Sequence, residues 1–211
     1  MVVDDSAVVL QSPALFARAA AGHRHREFDR RSGSAGAHSG GLDPAARPHA
    51  CPRCAAMPPM FTAILAERLQ RVTSREAKEG EDGEPVRPGT IYVAPGGHHM
   101  TVVRANGSRL RISREAPVHF CRPAVDPLFA SMAAEFGPAT LGIVLTGMGH
   151  DGAAGARAIA DRGGTVIAQD EASSVVWGMP GAAACVGACA AILPPAEIAA
   201  TAAELLQGKR P

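Results

Sequence analysis

The chain reads as an α/β protein: a doubly wound, mostly parallel sheet with helices on both faces and a peripheral antiparallel hairpin. Three observations predict this. Aliphatic, β-branched runs alternate with helix-forming runs along the second half of the sequence, as strand–helix–strand units require. The run over 141–145 is apolar almost without a break, the pattern of a strand covered on both faces. Asn106-Gly107, the strongest short hairpin signal, joins a strand over 98–105 to a return strand over 109–113.

The stretch 141–152, LGIVLTGMGHDG, is the element around which the others are arranged. Its apolar run breaks into Gly147-Met148-Gly149, where small residues let the backbone approach another group closely. His150 and Asp151 follow, and then an alanine-rich helix that stops at Gly163-Gly164. A polar residue between a strand's carboxyl end and a helix start lies where open α/β sheets place ligands. From spacing alone, Asp151 serves either that purpose or as a cap of the helix that follows.

The remaining elements follow in order. Residues 1–10, MVVDDSAVVL, read as an apolar strand followed by the acids Asp4 and Asp5. Such a pair suits magnesium and resembles the start of a receiver domain, yet nothing after it completes one. From 11 to 56 no hydrophobic period survives, so this part is expected to be irregular or disordered. Cys51 and Cys54 have the spacing of half a zinc site, with His23, His25, His38 and His49 upstream, but no second pair follows. Periodicity returns at Met57, with Phe61, Ile64, Leu65 and Leu69 at helical spacing. A polar loop, a short strand over 90–94 and the turn Pro95-Gly96-Gly97 lead to His98 and His99 at the start of the hairpin. An amphipathic helix over 122–137 carries Leu128, Met132 and Phe136. A strand over 164–170, a Gly-Met-Pro turn at 178–180 and a terminal helix over 196–207 close the sequence.

Composition narrows the function classes. With 46% hydrophobic and 19% charged among 211 residues, there is chain enough for one sizeable core plus extensions. A formal charge of +1 gives no reason to expect nucleic acid as a partner. No apolar run approaches a membrane span and no signal-peptide pattern opens the chain, so the expectation is a cytoplasmic protein without membrane insertion. Five cysteines at irregular spacing argue against a disulfide framework.

Residues 57 to about 207 resemble the catalytic domain of chemotaxis protein-glutamate methylesterases. The matching blocks are MPPMFTAILAERL, PGTIYVAPGGHHM, RPAVDPLFASMA, LTGMGHDGAAG and IAQDEASSVVWGMPGAA, in order and at natural spacing. The opening MVVDDSAVV resembles the receiver domain that precedes this catalytic domain in the same response-regulator family. The division that results is 1–10 as a remnant of a receiver start, 11–56 unmatched, and 57–211 as an N-terminally incomplete catalytic domain.

The resemblance implies a hydrolase of receptor glutamyl methyl esters, in some members also a deamidase of receptor glutamines. It implies a serine-hydrolase triad, no cofactor, no metal, and methyl-accepting chemotaxis receptors as partners of a monomer. The family's triad Asp falls on Asp151, and an oxyanion-hole N–H on Met148. The family's His falls on Ala56, which cannot accept a proton. The nucleophile's Gly-Ala-Ser-Thr-Gly-Gly turn has one echo, Gly36-Ala37-His38-Ser39-Gly40-Gly41, in which His38 falls at the Ser position and Ser39, the candidate nucleophile, at the Thr position, with no strand before it. The expectation is therefore a methylesterase with impaired chemistry, through damage between residues 10 and 56 by frameshift, deletion or a misplaced start. The alternatives are a receptor-binding module without turnover or a remnant that does not function. A rescue would draw its base from His38, His49, His98 or His99.

Overall fold

Alternating side chains sort the sheet's residues onto two faces, and each face has its own core. The fold is taken from a computed structural model, which defines residues 7–11, 51–53 and 59–206. Among the described residues, seven parallel strands form the main sheet: β1 (Ala7–Gln11), β2 (Cys51–Arg53), β3 (Ala77–Glu79), β4 (Ile91–Val93), β7 (Thr140–Val144), β8 (Thr165–Gln169) and β9 (Ala191–Leu193). Their spatial order is β3-β4-β2-β1-β7-β8-β9. Leu141, Ile143, Ile91, Val93 and Ile167 face one side, with Leu69, Ile198 and Leu206. Their chain neighbours Tyr92, Val144 and Val166 face the other, with Leu128, Phe129, Met132, Ile159 and Met179. This is the period-two alternation of a pleated strand, with both faces covered.

The first face is covered by α1 (Pro59–Thr73) and α5 (Pro195–Leu206). The second is covered by α2 (Val125–Phe136), α3 (Ala153–Asp161) and α4 (Gly178–Cys185). The antiparallel pair β5 (His99–Arg104) and β6 (Ser108–Ser113) forms a separate two-stranded sheet. Its turn places Asn106 and Gly107 at φ 52° and 97°, the left-handed pair that a two-residue hairpin needs. The hairpin buries Met100, Val102 and Leu110 in the core that α2 shares.

The fold class and the hairpin are as the sequence predicts, and several details differ. The opening strand lies at 7–11, after the acid pair; Asp4 and Asp5 themselves lie outside the described residues. It does not stand apart from the domain over 57–211: it pairs along its whole length with β7, from Ala7 opposite Thr140 to Gln11 opposite Val144. The 11–56 stretch contributes β2, whose Cys51 lies opposite Ile91. In α1 the buried face is Thr62, Ala66 and Leu69, while Phe61 and Ile64, read as part of the core stripe, are exposed. The Gly-Met-Pro at 178–180 opens α4 instead of ending as a turn, because a helix tolerates proline in its first turn.

The sheet changes direction of travel at β1. From there the chain moves outward through β2 to the edge strand β3, steps back to β4, and then returns to β7 on the opposite side of β1. The carboxyl ends of β1 and β7 therefore lie side by side at the point where the strand order reverses, which is where an open α/β sheet holds its ligand.

Candidate active site

The loop after β7 is fixed by the loop after β8. The Thr146 N–H donates to Gln169 Oε1 at 2.9 Å, and its hydroxyl donates to the Val176 carbonyl at 2.9 Å. The Gly147 N–H donates to the same carbonyl at 3.0 Å. Gln169 also donates through Nε2 to the Ser173 carbonyl at 2.9 Å, and its own carbonyl accepts from Trp177 Nε1 at 3.0 Å. Gly178 packs so tightly on this loop that a Cβ there would lie 2.8 Å from the Gly149 carbonyl oxygen. In this rigid setting the Met148 N–H has no hydrogen-bond partner among the described residues, and its side chain is 85% exposed.

Asp151 sits three residues further on and is buried. Its Oδ2 accepts from the Val125 N–H at 2.7 Å and its Oδ1 from the Asp126 N–H at 3.0 Å. These amides open α2, so Asp151 does cap a helix, but not the one that follows it. Helix α3 is preceded by Gly152 at φ 90° and has no side-chain cap at that position. Burial raises the Asp151 carboxyl above its usual range, against the opposing pull of the two amides.

Asp126, in the first turn of α2, returns the arrangement. Its Oδ1 accepts from the Gly155 N–H in α3 at 2.7 Å, and its Oδ2 accepts from His119 Nε2 at 3.0 Å. The exposed His150 ring stands edge-on to His119, with centroids 4.2 Å apart. His119 and Phe120 both have positive φ, 51° and 62°, in the tight turn closed by the Val118 and Cys121 backbones. Burial, together with the nearby Asp151 charge, holds the Cys121 thiol above its usual range and so unreactive.

The histidines expected to stand in as bases are occupied. His99 is 2% exposed; one ring nitrogen accepts from the Ala124 N–H at 3.2 Å and the other faces the Ala116 carbonyl at 3.1 Å. His98 Nε2 accepts from Arg114 Nε at 2.8 Å, and Nδ1 faces the Gly96 carbonyl. Neither ring keeps a free lone pair. Ser39, His38, His49 and Ala56 lie outside the described residues.

His119, Asp126 and Asp151 each present a ligand atom within 4.8 Å of the others, so a divalent cation is geometrically conceivable. The donor set fits one poorly. A cation would have to replace the His119–Asp126 hydrogen bond and share the carboxylates with three backbone amides. Those amides belong to two helix starts, whose dipoles favour anions over cations.

Residues 41–202 match the sequence profile of the CheB methylesterase family. The chain belongs to that family. It is 56% identical over 145 residues to protein-glutamate methylesterase/protein-glutamine glutaminase 1 of Rhodospirillum rubrum, covering 68% of this chain and 38% of that one. It is 57% identical over 155 residues to the group 2 operon enzyme of the same name from Bradyrhizobium diazoefficiens, covering 73% of this chain and 39% of the relative. The chain thus spans about two fifths of the length of these curated relatives. Among solved structures, the CheB methylesterase catalytic domain of Thermotoga maritima superposes with a TM-score of 0.80 at 32% identity. That alignment covers 96% of this chain and all of the other.

Within this CheB-type domain, the sequence singled out Asp151 and Met148 but not His119 or Asp126. Nothing in their local spacing distinguishes them. Asp126 reads as an ordinary acid in a helix's first turn, and His119 as one polar residue in a loop.

Proposed function

We propose that this chain is a protein-glutamate methylesterase acting on the glutamyl methyl esters of methyl-accepting chemotaxis receptors, with weaker turnover than a complete triad gives. The observation that carries the reading is the pairing of a buried, doubly clamped Asp151 with an unpartnered Met148 N–H on one rigid loop at the sheet's carboxyl edge. In this reading the Asp151 carboxylate steadies an imidazolium, and the Met148 N–H stabilises the oxyanion of the tetrahedral intermediate. The names of the relatives support the reaction. An exposed apolar rim supports a protein as substrate: Phe120, Met148 and Val175 are 103%, 85% and 82% exposed on the three loops that meet here.

Ala56 stands where the family's His is expected, and this favours a second reading: receptor binding without turnover. Losing the Ser or the His of such a triad costs on the order of 10⁶ in kcat, about 8 kcal/mol of barrier. Incubating the chain with receptor fragments carrying labelled methyl groups separates the two. The expected result is slow methanol release above the uncatalysed rate. Capture of the receptor without release would establish the binding module, and neither capture nor release would remove both readings.

A further inference from the structure

We propose that His119, oriented by Asp126, is the general base of this site and activates water directly. The inference rests on the ester-hydrolase reading and supplies the imidazole that Ala56 removes. Asp126 is buried, and its Oδ1 is committed to the Gly155 amide, so its Oδ2 is fixed toward His119. A carboxylate oxygen accepts, so Nε2 carries the proton and Nδ1 keeps the lone pair. Nδ1 has no partner among the described residues, and the side chain is 35% exposed, open enough to meet a water and an ester. This is the division of labour in an Asp–His couple, where the acid holds the tautomer and steadies the imidazolium.

The backbone points the same way. Two consecutive non-glycine residues at positive φ cost on the order of 1 kcal/mol or more each, and such strain persists where surrounding structure enforces it. Here the turn folds the His119 ring back onto α2. The groups that face the ring are Asp126 from α2, and Asp151 and His150 from the loop before α3, with Cys121 on the ring's own turn. His98 and His99 are excluded by their hydrogen bonds. His150 has no carboxylate partner among the described residues.

The step balances without a cofactor. The water oxygen bonds to the ester carbonyl carbon as its proton passes to His119 Nδ1, and the oxyanion is met by the Met148 N–H. The C–OCH₃ bond then breaks. The departing methoxide takes the proton back from the imidazolium and leaves as methanol, with the carboxylic acid as the second product.

The test uses the full chain and p-nitrophenyl acetate, an activated ester that needs no receptor recognition. The wild type should hydrolyse it without a burst, at a rate proportional to enzyme concentration from the first turnover. His119→Asn suits a positive-φ position and cannot act as base, so it should keep a cooperative melt and lose roughly 10²-fold in rate. Asp126→Asn removes the anion that orients the ring and should lower kcat with KM unchanged, its cooperative melt retained. A burst, an undiminished rate in His119→Asn, or no turnover by the wild type would overturn the proposal. His119-dependent cleavage of this ester without methanol release from methylated receptor would sink the receptor reading alone. Receptor demethylation unaffected by His119→Asn would sink this one alone.

Discussion

Asp151 and Asp126 each cap the helix on which the other depends. Asp151, just before α3, accepts from the first amides of α2; Asp126, in α2, accepts from the Gly155 amide in α3. The two helix starts are therefore locked together by buried carboxylates, and the helix ends cannot separate without exposing both.

Asp151→Ala would leave the Val125 and Asp126 amides buried without acceptors. Each unsatisfied donor costs about 1–3 kcal/mol, partly offset by removing a buried carboxyl. A net loss of about 2–4 kcal/mol is expected in urea unfolding, with Asp151→Asn losing less because one acceptor oxygen survives.

The same residue sets a pH dependence. Its folded carboxyl holds the proton to higher pH than the ordinary value of 3.8, so the folded state binds more protons in that interval. Its contribution is fully present below about 3.8 and is lost as pH rises through the raised value. The stability of the wild type relative to Asp151→Asn should accordingly fall with rising pH across the acid range. A difference that rises or stays flat would contradict the assignment.

Gly155 is where α2 and α3 touch. A Cβ there would lie 2.5 Å from Phe129 Cβ and 3.1 Å from the Asp126 carbonyl oxygen, neither of which is a flexible side-chain end. Gly155→Ala should cost about 1–3 kcal/mol through overpacking, despite alanine's better helix propensity. Calorimetry on the pair tests this, and a stabilised variant would refute it.

Gln169 holds both loops of the site. Gln169→Ala removes the acceptor of the Thr146 amide and the donor to Ser173. Amide exchange at Thr146 should quicken by roughly tenfold or more. The emission of Trp177, the only tryptophan, should also shift as the 170–177 loop loosens. Met148→Ala should change neither stability nor exchange by a measurable amount, since that side chain lies in solvent.

The parts of this fold that read directly from the sequence are those whose signal is local. The strand and helix around Gly147-Met148-Gly149, the hairpin at Asn106-Gly107, and the stripe of Leu128 and Met132 each combine a period with a turn residue. Strands β2, β3 and β9 are three residues long, too short for any period to register. In α1 the apolar Phe61 and Ile64 mimic a core stripe, while the burial falls on Thr62 and Ala66. At the site, Asp151 is visible because glycines surround it. Its partners Asp126 and His119 are not, because their roles arise from contacts across elements that only the packing of α2 on α3 creates.

The place of Ala7–Gln11 between β2 and β7 has a consequence for biosynthesis. This strand cannot meet its neighbour on one side until Thr140–Val144 has been made. Until then its backbone donors and acceptors on that side are unpaired, and parallel pairings between distant segments form slowly. The nascent chain therefore offers an open strand edge over that interval, the state in which chaperones are needed and misassembly between neighbouring chains begins.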